Sequence, residues 1–298
     1  MKIEKMNFIV RLLIVFLFVS TGLILSAQKK VSILTVPAEN KFTQINVGGT
    51  TILPSGRFAT PAGQLIRITN DPFGMAVSPD GKKSLTLHNG VFTIIDLQNL
   101  SATRIPSYDG KIKSPLSKGS FLGVAFSNDS KTVYISGGDN GSVITYDIEK
   151  LARTDSISLN GVVDGIKYDD SFTSDLVLNE ANNELLVLDR ANFRMVRIDL
   201  ATKKFTASIP VGRQPFGLTL SPDKKTALVA NVGMYSYPLI TGATPENIDS
   251  LMISHHPYGN NTPESINGTV VEGRKVPGLG SPLHPDAMSV FTIDLQTN

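Results

Sequence analysis

"DPFGMAVSPDGKKSLTLHN" runs from Asp71 to Asn89, and "QPFGLTLSPDKKTALVAN", from Gln214 to Asn231, says nearly the same thing 143 positions later. Two further copies lie between them. Aligned on the first residue of the apolar run, the four read Gly74-Met75-Ala76-Val77-Ser78, Gly123-Val124-Ala125-Phe126-Ser127, Asp175-Leu176-Val177-Leu178-Asn179 and Gly217-Leu218-Thr219-Leu220-Ser221. The steps are 49, 52 and 42 residues. A second marker keeps pace: Asp96 in "FTIIDLQN", Asp147 in "VITYDIEK", Asp199 in "MVRIDLAT" and Asp294 in "VFTIDLQT". Self-similarity at such a period marks a chain built from stacked supersecondary units.

Within each unit the pattern is a four-stranded meander. Strand a is the short apolar run, and "SPDGKK" is its turn, Pro presetting φ and Asp-Gly supplying the bend. Strand b follows as "SLTLH", "TVYIS", "ELLVL" or "TALVA". Strand c ends at the marker Asp, and strand d is "ATRIPS", "DSISL" or "KFTASI". Short strands with regular turn signals and almost no helical periodicity predict an all-β fold. Four-stranded units of this length are propeller blades, strand a innermost because it is the shortest and most apolar.

The totals agree. Of 298 residues, 41% are hydrophobic and 18% charged, enough for a core and too little charge for disorder or nucleic-acid binding. Lys2, Lys5 and Arg11, then "LLIVFLFVSTGLIL" from Leu12 to Leu25, then Ser26-Ala27-Gln28 are the three parts of a secretory signal. We therefore expect a signal helix at 1–27, cleavage, and a periplasmic or extracellular product with no stable membrane span. Without that segment the chain has 25 basic and 25 acidic residues, so no net charge draws it to nucleic acid. There is no Cys, and stability must come from burial without disulfides.

The stretches "PFGLTLSPDKKTALVANVG" and "LGVAFSNDSKTVYISGGDNGSVITYDIEK" resemble the YVTN repeat of bacterial, lactonase-like propellers, over roughly residues 50–298. The name motif is degraded here to Tyr134-Ile135-Ser136-Gly137 and Leu228-Val229-Ala230-Asn231, and without Trp the Trp-Asp signature of another propeller class is absent. "LPSGRFATPAG" (Leu53–Gly63) and "VEGRKVPGLGSP" (Val271–Pro282) further resemble an exported subgroup in which the propeller precedes an alkaline-phosphatase-like phosphoesterase domain. That resemblance implies a catalytic domain, with its divalent metal, beyond Asn298, and a propeller over 31–298 that is incomplete, about four blades of an expected seven. "QLIRI" (Gln64–Ile68) then reads as an outer strand of the ring.

Catalytic patterns are scarce: no phosphate-binding Gly loop, His-Glu-x-x-His, Gly-x-Ser-x-Gly or thiol. "GGDNG" (Gly137–Gly141) falls between strands b and c and reads as a hairpin turn. The topology places b-to-c turns and the segments leading into strand a on one face. There lie Asn89, Asp139, Asp189 and Asn231 at strand b ends, and Arg213 ahead of the fourth strand a. Two roles stay open for them, turn capping and a polar ring for ligand around the channel mouth.

One b-to-c connection is exceptional. Asp199 to Asp294 is 95 residues, a repeat of about 48 plus an insertion of about 47, placed between Val232 and roughly Asp286. Its Gly and Pro content argues against a core of its own, and "ATPENIDSLM" (Ala243–Met252) reads as the start of a short helix. It holds His255, His256 and His284, which with Glu272 or Asp286 form a weak metal set, since adjacent histidines are not a recognised ligand spacing. Glu272, Arg274 and Lys275 are candidates for meeting a partner. The sequence thus points to a non-catalytic binding or scaffold propeller with no cofactor of its own, its partner a phosphoesterase domain or a small molecule. A lactonase-like hydrolase is the alternative.

Overall fold

The computed structural model describes residues 10, 12–13, 15–17, 34–46, 48–238, 242–244, 246–251 and 261–297. The chain divides into two compact units, Met1–Leu65 and Ile66–Asn298. In the first, the described residues among 10–17 are helical, and β1 (Thr51–Ile52) pairs antiparallel with β2 (Phe58–Ala59). Among the described residues no helix is long and apolar enough to cross a membrane.

The second unit is all-β and carries a four-blade propeller arrangement. Blade 1 is β3 (Met75–Val77), β4 (Lys83–Leu87), β5 (Phe92–Asp96) and β6 (Ser101–Ile105), and blade 2 is β7 (Val124–Phe126), β8 (Thr132–Ser136), β9 (Ser142–Asp147) and β10 (Ala152–Ser158). A hairpin of β11 (Gly161–Val163) and β12 (Ile166–Tyr168) separates these from blade 3, which is β13 (Thr173–Asn179), β14 (Glu184–Asp189), β15 (Arg194–Asp199) and β16 (Lys204–Pro210). Blade 4 has three strands, β17 (Pro215–Leu220), β18 (Thr226–Asn231) and β21 (Val290–Asp294); within its b-to-c connection lies the hairpin β19 (Gly268–Val271) and β20 (Arg274–Pro277). Strands pair antiparallel in meander order, as the repeat predicts, and each strand c ends on its marker Asp.

The repeated letters are repeated hydrogen bonds. In "SPDGKK" the Ser78 hydroxyl donates to Asp80 Oδ1 at 2.6 Å while accepting from Lys83 N at 2.9 Å, closing the turn. Ser127 with Asp129 and Ser221 with Asp223 repeat the arrangement. The serine bond and a backbone N–H hold each of these aspartates below the usual carboxylate range. The marker aspartates cap the c-to-d turns: Asp96 accepts from Gln98 N and Asn99 N, Asp147 from Glu149 N and Lys150 N, and Asp199 from Thr202 N.

Cores lie between blades rather than within them. Leu185 and Val187 of β14 pack toward blade 2 with Val143 and Ile157, while Leu186 and Leu188 pack toward blade 4 with Ala227 and Val229. A strand buried on both faces must be apolar throughout, which is why "ELLVL" shows no alternation. Each such side chain contributes about 1.5–3 kcal/mol on burial.

The inner strands touch through backbone. Gly74 N donates to Phe121 O at 2.8 Å and Gly123 N to Ser174 O at 3.0 Å. A Cβ at Gly74 would come within 1.9 Å of Leu122 O, so the Gly heading the repeat is required by this approach.

Three expectations need correction. Strand a is shortest in blades 1 and 2, but β13 has 7 residues and β17 has 6, because in blades 3 and 4 its pairing with strand b extends around a bulge. Residues 64–68 form no strand, since among the described residues none pairs with them in a ladder; Arg67 and Ile68 instead line a cleft with Thr93 and Arg104 of blade 1. The insertion is not without internal burial. Thr262 caps the short helix Pro263–Asn267 by accepting from Ser265 N, and Val276 of β20 and Leu279 just after it are buried. Glu272-Gly273 forms the β19–β20 turn with φ of 51° and 77°, the geometry of a type I′ bend. The short helix expected within Ala243–Met252 is the single turn Ile248–Leu251.

Candidate functional site

At one end of the blades, the b-to-c turns of blades 1 to 3 each clasp the segment leading into strand a of the following blade. Asn89, in the left-handed region at φ 58°, accepts from Gly119 N at 2.7 Å through Oδ1, and Gly90 N donates to Ser120 O at 3.0 Å. In blade 2 the turn containing Gly138 bridges Thr173. In blade 3 Arg190 Nε donates to Gln214 Oε1 at 2.7 Å.

The polar residues of this face are therefore unequal. Asp189 is fully buried; it accepts from Phe172 N at 3.1 Å and holds Arg194 Nε at 2.8 Å. Arg194, itself buried, also donates to Leu159 O at 2.8 Å and lies 3.4 Å from the Tyr168 ring centroid. This network ties the end of blade 2 and the β12 hairpin to blade 3. A buried ion pair satisfied on both partners is specific, and removing one partner leaves an unpaired buried charge. Asn231 is buried and donates to Ser289 Oγ at 3.2 Å, closing the root of the insertion. Asp139 differs from these: it is exposed, and its backbone N–H rather than its carboxylate makes the contact to the next segment, at Lys118 O.

Arg213 anchors the insertion. Its Nε lies 3.0 Å from Asp286 Oδ1, and Nη1 donates to Met234 O at 3.0 Å and Ser281 O at 2.8 Å. Gly280, at φ 80°, leaves room beside the guanidinium, since a Cβ there would sit 3.1 Å from Nη2. His284 Nδ1 lies 2.5 Å from the same Asp286 oxygen, so this carboxylate is shared between a cation and an imidazole. His255 and His256 lie outside the described residues. Among the described residues no group of three or more His, Asp or Glu is placed to hold a metal. Glu272, Arg274 and Lys275 are exposed on the β19–β20 hairpin, apart from the latches.

Two features were not singled out from the sequence. The first is an aromatic arc at the same face. Phe73 and Phe121 pack edge-on at 5.5 Å between centroids, Phe121 lies 5.9 Å from Phe216, and Arg190 stands 6.0 Å over Phe216 and 5.9 Å over Phe172. Phe73 is 58% exposed. The signal was the repeated Pro-Phe-Gly of Pro72–Gly74 and Pro215–Gly217. The second is Asp175, the residue standing where the other copies have Gly. Its Oδ2 accepts from Leu218 N of β17 at 2.8 Å and Oδ1 from Leu176 N at 2.9 Å. Burial pushes its carboxyl up to about 6, opposed by these two backbone bonds.

No protein-family model matches the chain, and no curated protein matches it. Among solved structures it is similar to the hydrazine synthase of Kuenenia stuttgartiensis, at 17% identity and a TM-score of 0.43. The match covers 58% of this chain and 46% of that chain.

Proposed function

We propose that the chain is an exported, non-catalytic propeller that acts as a binding or scaffold module, recognising its partner at the b-to-c face. The observation that supports this reading is a division of labour on that face. Asn89, Asp189, Arg190, Asn231 and Arg213 are committed to clasping blades and insertion, whereas the aromatic arc, with Phe73 more than half exposed, presents stacking surface beside the Arg190 guanidinium. Aromatic rings with a planar cation beside them are the groups that anchor partners at interfaces.

On this reading the partner is a phosphoesterase domain encoded after Asn298, carrying the metal and the chemistry. The test expresses the reading frame that follows Asn298 as a separate protein and titrates it with this chain. Saturable binding, weakened at least about tenfold by Phe73→Asp, is expected. A stop codon at that point, or an unchanged affinity in the variant, contradicts the proposal. So does zinc-dependent hydrolysis of a phosphoester, or opening of a sugar lactone, by this chain alone; the latter would favour the lactonase alternative. For export, the mature protein should be recovered from the periplasm or medium with Gln28 at its N-terminus, and retention of uncleaved chain in the cytoplasm would exclude it.

A further inference from the structure

A second concavity lies on the outer rim between blades 1 and 2, away from the face described above. It is a cleft of about 600 Å³ between the segment 111–115 and the c-to-d turn of blade 2, a volume typical of small-molecule sites. Lys111, Lys113, Lys150 and Arg153 line it. Lys111 is paired with Asp109 at 3.0 Å and Lys150 with Asp147 at 2.9 Å. Among the described residues neither Lys113 nor Arg153 has an acidic partner within ion-pair distance, so the cleft carries unneutralised positive charge.

The cleft also has a built interior. Tyr146 of β9 forms part of its wall, is 1% exposed, and packs edge-on against Phe92 at 5.0 Å. Its hydroxyl is buried with no hydrogen-bond partner. A buried hydroxyl without a partner is costly, and such groups call for an explanation. Arg153 is directly opposite Tyr146 in the β9–β10 ladder, so the two side chains share a face.

We propose that this cleft binds a small organic oxyanion, a phosphate monoester or carboxylate. The cations and the phenol offer donors, and an oxyanion is the ligand that only accepts. Arg153 supplies the planar fork suited to two oxygens. Ile112 and Leu151 provide an apolar wall for the ligand's body. Burial, reinforced by the nearby Asp147 charge, pushes the Tyr146 phenol up to about 12, so the phenol keeps its proton at neutral pH.

The experiment is calorimetric titration of the purified chain with phenyl phosphate, benzoate and inorganic phosphate, alongside Arg153→Glu and Tyr146→Phe. Phenyl phosphate or benzoate should bind saturably, and the tighter of the two identifies the oxyanion. Arg153→Glu, an exposed position that does not threaten the fold, should weaken binding at least about tenfold. Tyr146→Phe keeps the ring against Phe92 and removes only the hydroxyl; it should weaken binding about tenfold without lowering the melting temperature. The proposal fails if neither organic anion saturates, if inorganic phosphate binds as tightly as phenyl phosphate, or if either variant binds like the wild type. Should Tyr146→Phe not fold, the Arg153→Glu result decides alone.

Discussion

At the scale of single residues, Asp189 and Asp139 occupy equivalent turns of adjacent blades and differ in what they touch. Asp189→Ala leaves Arg194 buried beside Tyr168 without its carboxylate, and urea unfolding should show a loss of about 3–5 kcal/mol. Asp139→Ala should fall within about 0.5 kcal/mol of the wild type. Asp175 makes a different prediction because its folded pKa, about 6, lies above its unfolded value near 3.8. The native state then binds the proton more tightly than the unfolded chain. The stability this contributes is fully present below about pH 4 and is lost as pH rises to about 6. The loss is on the order of 2–3 kcal/mol. Asp175→Asn, which retains one acceptor for Leu218 N, should flatten this profile and be the more stable protein at pH 7. Parallel melting curves at pH 4 and pH 7 check it, and an equal pH dependence in the two proteins would refute it.

At the scale of elements, the insertion should behave as a unit pinned at one point. Arg213→Ala removes the cation that holds Met234 O, Ser281 O and Asp286, so limited proteolysis should cut within 233–288 at least about tenfold faster while blades 1 to 3 stay intact. Arg213→Lys should not restore protection, because a lysine lacks the fork that spans these acceptors. Resistance unchanged in Arg213→Ala would mean that the helix and hairpin hold the insertion without the anchor. Much at this scale was legible in the sequence. The marker aspartates and the "SPDGKK" turns place strand b and strand c closely, because each letter satisfies a local hydrogen bond that any copy must make. The β11–β12 hairpin carried its own signal, Asp164-Gly165, whose φ values of 52° and 80° form its bend. Residues 64–68 misled because their place just ahead of the first strand a suggests an outer strand but supplies no ladder partner. Among the candidate site residues, the repeat locates Asp189 and Asn231 at the ends of strand b, where β14 and β18 close; which residues are buried latches and which are exposed depends on contacts 17 to 68 positions away, such as Phe172 N to Asp189 and Arg213 to Ser281.

At the scale of the whole molecule, three interblade cores and a row of polar latches make each blade depend on its neighbour. Such chains approximate one-dimensional arrays whose stability resides largely in the interfaces between repeats. The central claim is that the b-to-c face and the inner strands hold the blades together as one cooperative body, leaving the aromatic arc free for recognition. Amide hydrogen exchange tests it most directly. The junction amides Gly74, Gly119, Gly123, Thr173 and Leu218 should exchange as slowly as the interior amides of strand b, such as Leu85 and Leu185, because both open only when the blades come apart. Junction amides exchanging more than about a hundredfold faster than those interior amides would show blades that swing independently, and would contradict the account.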